Sequence, residues 1–227
     1  MFNINTELFT GKAKQYANAR PDYPKEAIDY ICKLVSNSAI FADIGAGTGK
    51  FTKNIAERGY QIYAVEPNKD MMLQLKTTLH NYPQTKIIEA PAEATTLSAK
   101  SIDIVVCAQA MHWFDLAKFA EECRRITKPD SIIMAVYNVV PGGSSINHSR
   151  LSTEIFFKNP IIKEFPNPIY YTREKWLEYM TSHSYDPLPN DVGYANHIKR
   201  INSRFDKESI DGFLCLNILT KVYYEKW

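Results

Sequence analysis

Three glycines at alternate positions, Gly45, Gly47 and Gly49, follow the apolar run 39–44, and a second such run, 61–66, ends in Glu66, 21 positions after the first glycine. A short strand feeding a glycine turn, then a helix, then a strand closed by an acid is a unit built to grip a nucleoside. Glycine has no Cβ, so backbone can approach a ligand closely. A carboxylate at the end of the next strand can accept hydrogen bonds from two ribose hydroxyls.

The spacing sorts the possible ligands. A phosphate-cradling loop needs G-x-x-x-x-G-K-[ST], but Ile44 stands where its first glycine belongs and Phe51 follows Gly49-Lys50. A dinucleotide fingerprint, G-x-G-x-x-G, needs its third glycine at position 50, where the chain has Lys50. The third glycine is Gly49 instead, expected to let the following helix pack on the first strand. Asp43, two residues before Gly45, adds negative charge where a pyrophosphate would lie. That charge repels phosphate and suits an amine or a sulfonium. A cationic nucleoside is therefore expected, with S-adenosylmethionine (SAM) the leading candidate.

The regularity extends over the first half of the chain. Strands are expected at 39–44, 61–66, 86–89, 102–108 and 131–137, with helices between them and a turn at Lys128-Pro129-Asp130. Alternation of this kind predicts an α/β fold, a doubly wound Rossmann-like sheet of seven mostly parallel strands with the last one antiparallel. Residues 1–143 form the expected nucleoside-binding core with an N-terminal arm. Residues 144–210, with prolines at 160, 166, 168, 187 and 189, read as a mainly helical insertion covering the cleft. Residues 211–227 supply the terminal strand.

Composition excludes several classes. With 27 basic against 25 acidic residues, net charge is only +2 and no dense basic stripe appears, so no nucleic-acid partner is expected. Lys199-Arg200 and Arg204 read as a solvated helix face. No apolar run approaches the roughly 18 residues of a membrane span, and the N-terminus lacks a signal-like apolar segment. The four scattered cysteines, 32, 107, 123 and 215, lack C-x-x-C spacing and read as small hydrophobes in a reducing cytoplasm. No metal site is expected, and the chain is read as a monomer or homodimer.

In an open α/β sheet the ligand lies over the carboxyl ends of the strands. The third strand ends in Glu89-Ala90-Pro91-Ala92-Glu93, where Ala92 and Glu93 could present a backbone donor and an acceptor to an adenine ring; an ordinary polar loop is the alternative. The fourth runs into Gln109-Ala110-Met111-His112-Trp113-Phe114-Asp115. His112 is the candidate general base, or else a core histidine satisfied by a carbonyl. Upstream, Tyr16, Arg20-Pro21 and Tyr23-Pro24 offer an acceptor-side cluster in which the Arg20 fork suits a carboxylate; a packing arm is the alternative.

These residues carry a family resemblance that covers nearly the whole chain. Phe9, Tyr16, Arg20-Pro21, Tyr23-Pro24, Asp43-Ile-Gly-Ala-Gly-Thr-Gly49, Glu66-Pro67-Asn68, Ala92-Glu93, Ala110–Asp115, Phe165–Pro168 and 182–185 resemble the class I SAM-dependent methyltransferases. Within them the pattern is most similar to the small-molecule branch of trans-aconitate methyltransferase-like (methyltransferase type 11) proteins. The resemblance implies SAM, leaving as S-adenosylhomocysteine (SAH), held by Asp43, Gly45, Ala46, Gly47, Gly49, Glu66, Pro67, Asn68, Met71, Ala92, Glu93 and Gln109. It implies a small-molecule acceptor near Tyr16, Arg20, Tyr23, His112 and Trp113. The aromatic motif of amino-methylating DNA enzymes and the Pro-Cys of cytosine-C5 enzymes are both missing, since Cys107 follows Val106. A SAM-binding protein without catalysis and a nicotinamide-dependent oxidoreductase are the remaining alternatives.

Overall fold

The computed structural model describes residues 19–142, 145–182 and 186–227, without the side chains of 145–150. Tyr16, Phe9 and residues 183–185 of the motifs above lie outside the described residues.

Seven strands form one sheet: β1 (Ile40–Ile44), β2 (Gln61–Val65), β3 (Thr85–Ile88), β4 (Ile102–Ala108), β5 (Thr127–Val139), β6 (Ile161–Tyr171) and β7 (Leu214–Lys226), in the spatial order β3-β2-β1-β4-β5-β7-β6. The first five pair in parallel, and β7 runs antiparallel to both β5 and β6. The expected seven-stranded, mostly parallel sheet is therefore present. Chain order reverses between β1 and β4, which opens the crevice at their carboxyl ends.

The helices are α1 (Lys25–Lys33), α2 (Lys50–Ala56), α3 (Lys69–Thr78), α4 (Leu116–Ile126), α5 (Ser145–Phe156), α6 (Arg173–Met180) and α7 (Tyr194–Glu208). The central strands are apolar on both faces because both are covered. Phe41, Ile62, Ile104, Val106, Met134 and Val136 face α1 and α2, packing on Ile28, Ile31, Phe51 and Ile55. Their strand neighbours Ala42, Val105, Cys107, Ile133 and Ala135 face the other way, onto Phe119, Cys123 and Ile126 of α4. Side-chain alternation along each strand produces the two layers. Local chemistry sets the helix starts: the side chains of Asn68, Asp115 and Thr172 accept the N–H groups of Met71, Lys118 and Lys175.

Two expectations change. Residues 128–130 are not a turn between elements but part of β5. Ile102 pairs with Thr127 and Ile104 with Ile132, so the bulged strand spends extra residues there, with Asp130 at φ 60°. Lys128 reaches across this bulge to Asp103 at 2.8 Å. The second change lies in the segment read as helices and proline-rich turns. Its residues 161–171 form strand β6, which completes the sheet at its edge. Pro166 and Pro168 lack a donor, and an edge strand is where a missing donor can be tolerated.

The helical part of that segment is anchored by one large ring. Trp176 is fully buried among Tyr171, Tyr179, Ile201, Phe205 and the β7 residues Leu214, Leu216 and Ile218, and donates its Nε1–H to the Ile201 carbonyl at 3.1 Å. Replacing Trp176 by Ala is expected to cost about 3–5 kcal/mol, through lost burial and a cavity. Urea unfolding measures it; a loss below about 1 kcal/mol would show that this ring does not hold α6 and α7 to the sheet.

Candidate functional site

The crevice is assembled at the ends of β1 and β2. The N–H groups of Gly45 and Ala46 both donate to the Val65 carbonyl, at 2.9 and 3.0 Å, which bends the glycine loop over the end of β2. Glu66, 7% exposed, then bridges the loop to the next helix: its Oε2 accepts the Gly47 N–H and its Oε1 the Asn68 N–H, each at 2.8 Å. Asn68 in turn caps α3 by accepting from the buried Met71, and Pro67 sits half-buried between Glu66 and Asn68. Burial pushes the Glu66 carboxyl up, opposed by these two N–H donors.

Beneath the loop lies Asp43, fully buried. Its Oδ2 accepts the Thr52 hydroxyl at 2.6 Å, while its Oδ1 has no hydrogen-bond partner. Desolvation, eased by the Thr52 hydrogen bond and aggravated by the nearby Glu66 charge, raises the Asp43 pKa to about 7. A bare buried carboxylate oxygen is costly unless a cation or donor meets it.

The three glycines have three different jobs. A Cβ on Gly45 would sit 2.6 Å from the Ala110 Cβ and 3.2 Å from the Phe114 ring, so that glycine admits the segment after β4. A Cβ on Gly49 would sit 2.7 Å from Leu75 Cδ1. Gly49 therefore makes room for α3, and caps α2 at φ 87°, rather than settling α2 on β1 as its spacing suggested. Only Gly47 has open space on its Cβ side, with nothing within 4 Å. It is the glycine at which a ligand can approach the backbone.

The other walls come from β3 and β4. Ala92 is buried, and the neighbouring Glu93 accepts the Asp115 N–H at 2.8 Å, tying its loop to the start of α4. Gln109 ends β4 in the left-handed region, φ 57°, with its backbone N–H on the Val136 carbonyl and its side chain on Asn138. His112 follows in the short 3-10 turn Met111–Trp113, half-buried, its ring 4.7 Å from that of Trp113 and 6.0 Å from that of Tyr137. Asp43, Ala46, Gly47, Glu66, Asn68, Ala92, Gln109 and His112 thus share the carboxyl edge of the parallel strands.

Arg20 and Tyr23 stand elsewhere. Tyr23 packs edge-on against Phe51, 5.3 Å between centroids. The carbonyl of Asp22 is held by Asn138 of β5 at 3.2 Å and Asn167 of β6 at 2.8 Å. This turns Arg20 toward α6, where its guanidinium lies 5.9 Å from the Tyr179 ring and 3.5 Å from the Ser182 carbonyl. Asn54 of α2 also donates to Asp22 Oδ1 at 2.8 Å, so this segment ties the helix after the glycine loop to α6. Thr52, Asn138, Asn167 and Thr220 hold these segments through hydrogen bonds that the sequence did not single out. Only Thr52, within the helix after the glycines, was near enough to its partner to be found.

Fold and site find parallels among known proteins. Residues 42–135 match the profile of the methyltransferase domain family. Over that stretch the chain is similar to methyltransferase domains. An uncharacterized methyltransferase of Mycobacterium tuberculosis is 38% identical over 123 residues, 54% of this chain and 49% of that protein. The chain spans about half the length of the curated relatives it matches. Among solved structures, a protein of Anaeromyxobacter dehalogenans provisionally assigned as a type II methyltransferase superposes with TM-score 0.66 at 20% identity, covering 91% of this chain and 97% of that one. A SAM-dependent methyltransferase of Geobacter sulfurreducens, solved with SAH, superposes with TM-score 0.55 at 13% identity over 96% of each chain.

The buried acid and the packed glycine give opposite tests. Because the folded-state pKa of Asp43 is raised, the folded chain holds a proton that the unfolded chain has lost between about pH 4 and pH 7. Stability is therefore lost as pH rises through that window, by up to about 1.4 kcal/mol per unit. Asp43→Asn should flatten the profile, gaining on the parent between pH 5 and 8 in thermal unfolding; parallel profiles would refute the raised pKa. Gly45→Ala should unfold the loop outright, whereas Gly47→Ala should cost only the roughly 1–2 kcal/mol of a left-handed alanine. Equal losses in denaturant titrations would contradict the division of labour.

Proposed function

We propose that this chain is a SAM-dependent methyltransferase acting on a small metabolite in the cytoplasm, working as a monomer or homodimer. The observation that carries this reading is the Glu66 bridge over the unpartnered Asp43 oxygen, beside open space at Gly47. Each Glu66 oxygen accepts one N–H and retains a lone pair, enough for the two ribose hydroxyls of a nucleoside. Asp43 Oδ1 supplies buried negative charge for a cationic ligand. Ala92 and Glu93 would flank the adenine. The residues fit the donor, and the SAH-bound Geobacter neighbour and the matched domain family support the same choice.

The donor supplies an activated methyl group on a sulfonium. The protein's share is mainly alignment and exclusion of water, worth roughly 7–11 kcal/mol when reacting atoms are held in line. Glu66 would hold the ribose hydroxyls. The segment Ala110–Phe114, packed against Gly45, would help to exclude water from the cleft. An anionic acceptor needs no base. A neutral hydroxyl or amine needs one, and His112 stands at the right strand end. Trp113 and the Arg20 side of the cleft shape the acceptor pocket. The near-balanced charge of +2, without a basic stripe, favours a small molecule over nucleic acid. The four unpaired cysteines accord with a reducing compartment.

Calorimetric titration with SAH and with NADH tests the donor. SAH should bind and NADH should not; the reverse result would return the cleft to the dinucleotide reading. In a turnover screen that detects SAH release, His112→Ala should lower kcat at least tenfold with a neutral acceptor while leaving SAH affinity within about twofold. Unchanged turnover would remove His112 from catalysis, and no SAH release from any acceptor would favour a SAM-binding protein without catalysis.

A further inference from the structure

We propose that Glu122 is a positioning residue for base recognition, acting through the 91–97 loop that carries Ala92 and Glu93. The proposal rests on reading the cleft as a SAM site. The loop lies between β3 and β4 and pairs with no strand; its Ala94 N–H donates to the Pro91 carbonyl at 3.2 Å, and side chains hold the resulting turn in place. Glu122, on the second turn of α4 and 6% exposed, is the central anchor of that turn.

Its Oε1 accepts the Thr95 N–H at 2.7 Å and also the Thr95 hydroxyl. Arg125, one turn further along α4, holds both Glu122 oxygens through Nε and Nη2, each at 2.7 Å, and donates its Nη1–H to the Leu97 carbonyl at 2.8 Å. Between these two fixed points Thr96 sits at φ 61°. A β-branched residue does not adopt that backbone unless its neighbours force it, and here both neighbours are fastened to α4. The front of the loop is fastened to the same helix, since Glu93 Oε1 accepts the N–H of Asp115, the α4 cap.

One helix thus grips the loop at Glu93, Thr95 and Leu97. The consequence is chemical. With one Glu93 oxygen committed to Asp115, the other is available as an acceptor, and it suits the 6-amino group of adenine. The 6-oxo group of hypoxanthine, itself an acceptor, would be repelled there. Buried anchorage of Thr95 keeps that acceptor from drifting.

The test compares SAH with its inosine counterpart, S-inosylhomocysteine, by calorimetry on the purified chain. The wild type should prefer SAH. Glu122→Gln turns one acceptor oxygen into a donor facing the Arg125 guanidinium. It should weaken SAH binding roughly tenfold and the inosine compound much less, so that the preference shrinks by nearly the same factor. In turnover, KM for SAM should rise with kcat little changed. Thr95→Val removes the hydroxyl but keeps the N–H; it guards against a Glu122→Gln chain that does not fold, and should shift the preference the same way by a smaller factor. A general loss of stability would lower both affinities together and leave their ratio intact. An unaltered ratio in the folded variants would overturn the proposal, as would a wild type that binds the two compounds equally. A wild type that binds neither overturns the SAM reading itself, before any substitution is made.

Discussion

The cleft depends on a buried carboxylate shared between two turns. Glu66 ends β2, yet its two oxygens are taken by the N–H of Gly47 in the loop after β1 and the N–H of Asn68 at the start of α3. Burial makes the charge expensive, and those two donors offset much of the cost. They also fix the geometry. With Gly45 and Ala46 hung on the Val65 carbonyl, the loop cannot move without breaking a backbone bond and uncovering a charge. Asp43 below it lacks such relief on one oxygen, and its proton affinity rises accordingly.

Much of this could be read in the sequence because the relevant contacts are short-range in the chain. Asp43, the glycines and Glu66 fall within one strand–helix–strand unit, and such a unit leaves few ways to arrange itself. The parallel half of the sheet was legible for the same reason: its strands are apolar and, except for the loop between β3 and β4, separated by helices. The individual glycine roles were not legible. What a missing Cβ makes room for depends on Ala110, Phe114 and Leu75, which arrive from other elements. Spacing alone shows that a close approach occurs, without showing what approaches.

The misread segment failed for a different reason. Pro166 and Pro168 argue against a central strand, and they do so correctly. Strand β6 is an edge, paired on one side to β7 from Ile161 to Tyr171. Whether a strand is central or lateral is a property of the finished sheet, so proline in a strand cannot be judged from local pattern. The bulge in β5 is similar. Lys128-Pro129-Asp130 has the composition of a turn, and Asp130 has the backbone of one, but β4 pairs on both sides of it, Ile102 with Thr127 and Ile104 with Ile132, and the strand runs through it.

The same distinction separates the two halves of the cleft. The glycine-loop side is local, built from a handful of neighbouring residues. The Arg20 side is built from pieces far apart in the chain: Arg20 beside Ser182 and Tyr179, the Asp22 carbonyl on Asn138 and Asn167, and Thr220 bonded to Asn138. Three strands and an N-terminal strap must all be in place before that surface exists. The strap nonetheless joins the two sides, since Asn54 of α2 donates to Asp22 Oδ1 at 2.8 Å and Tyr23 packs on Phe51, so a shift of the strap is felt by the helix that the glycine loop opens.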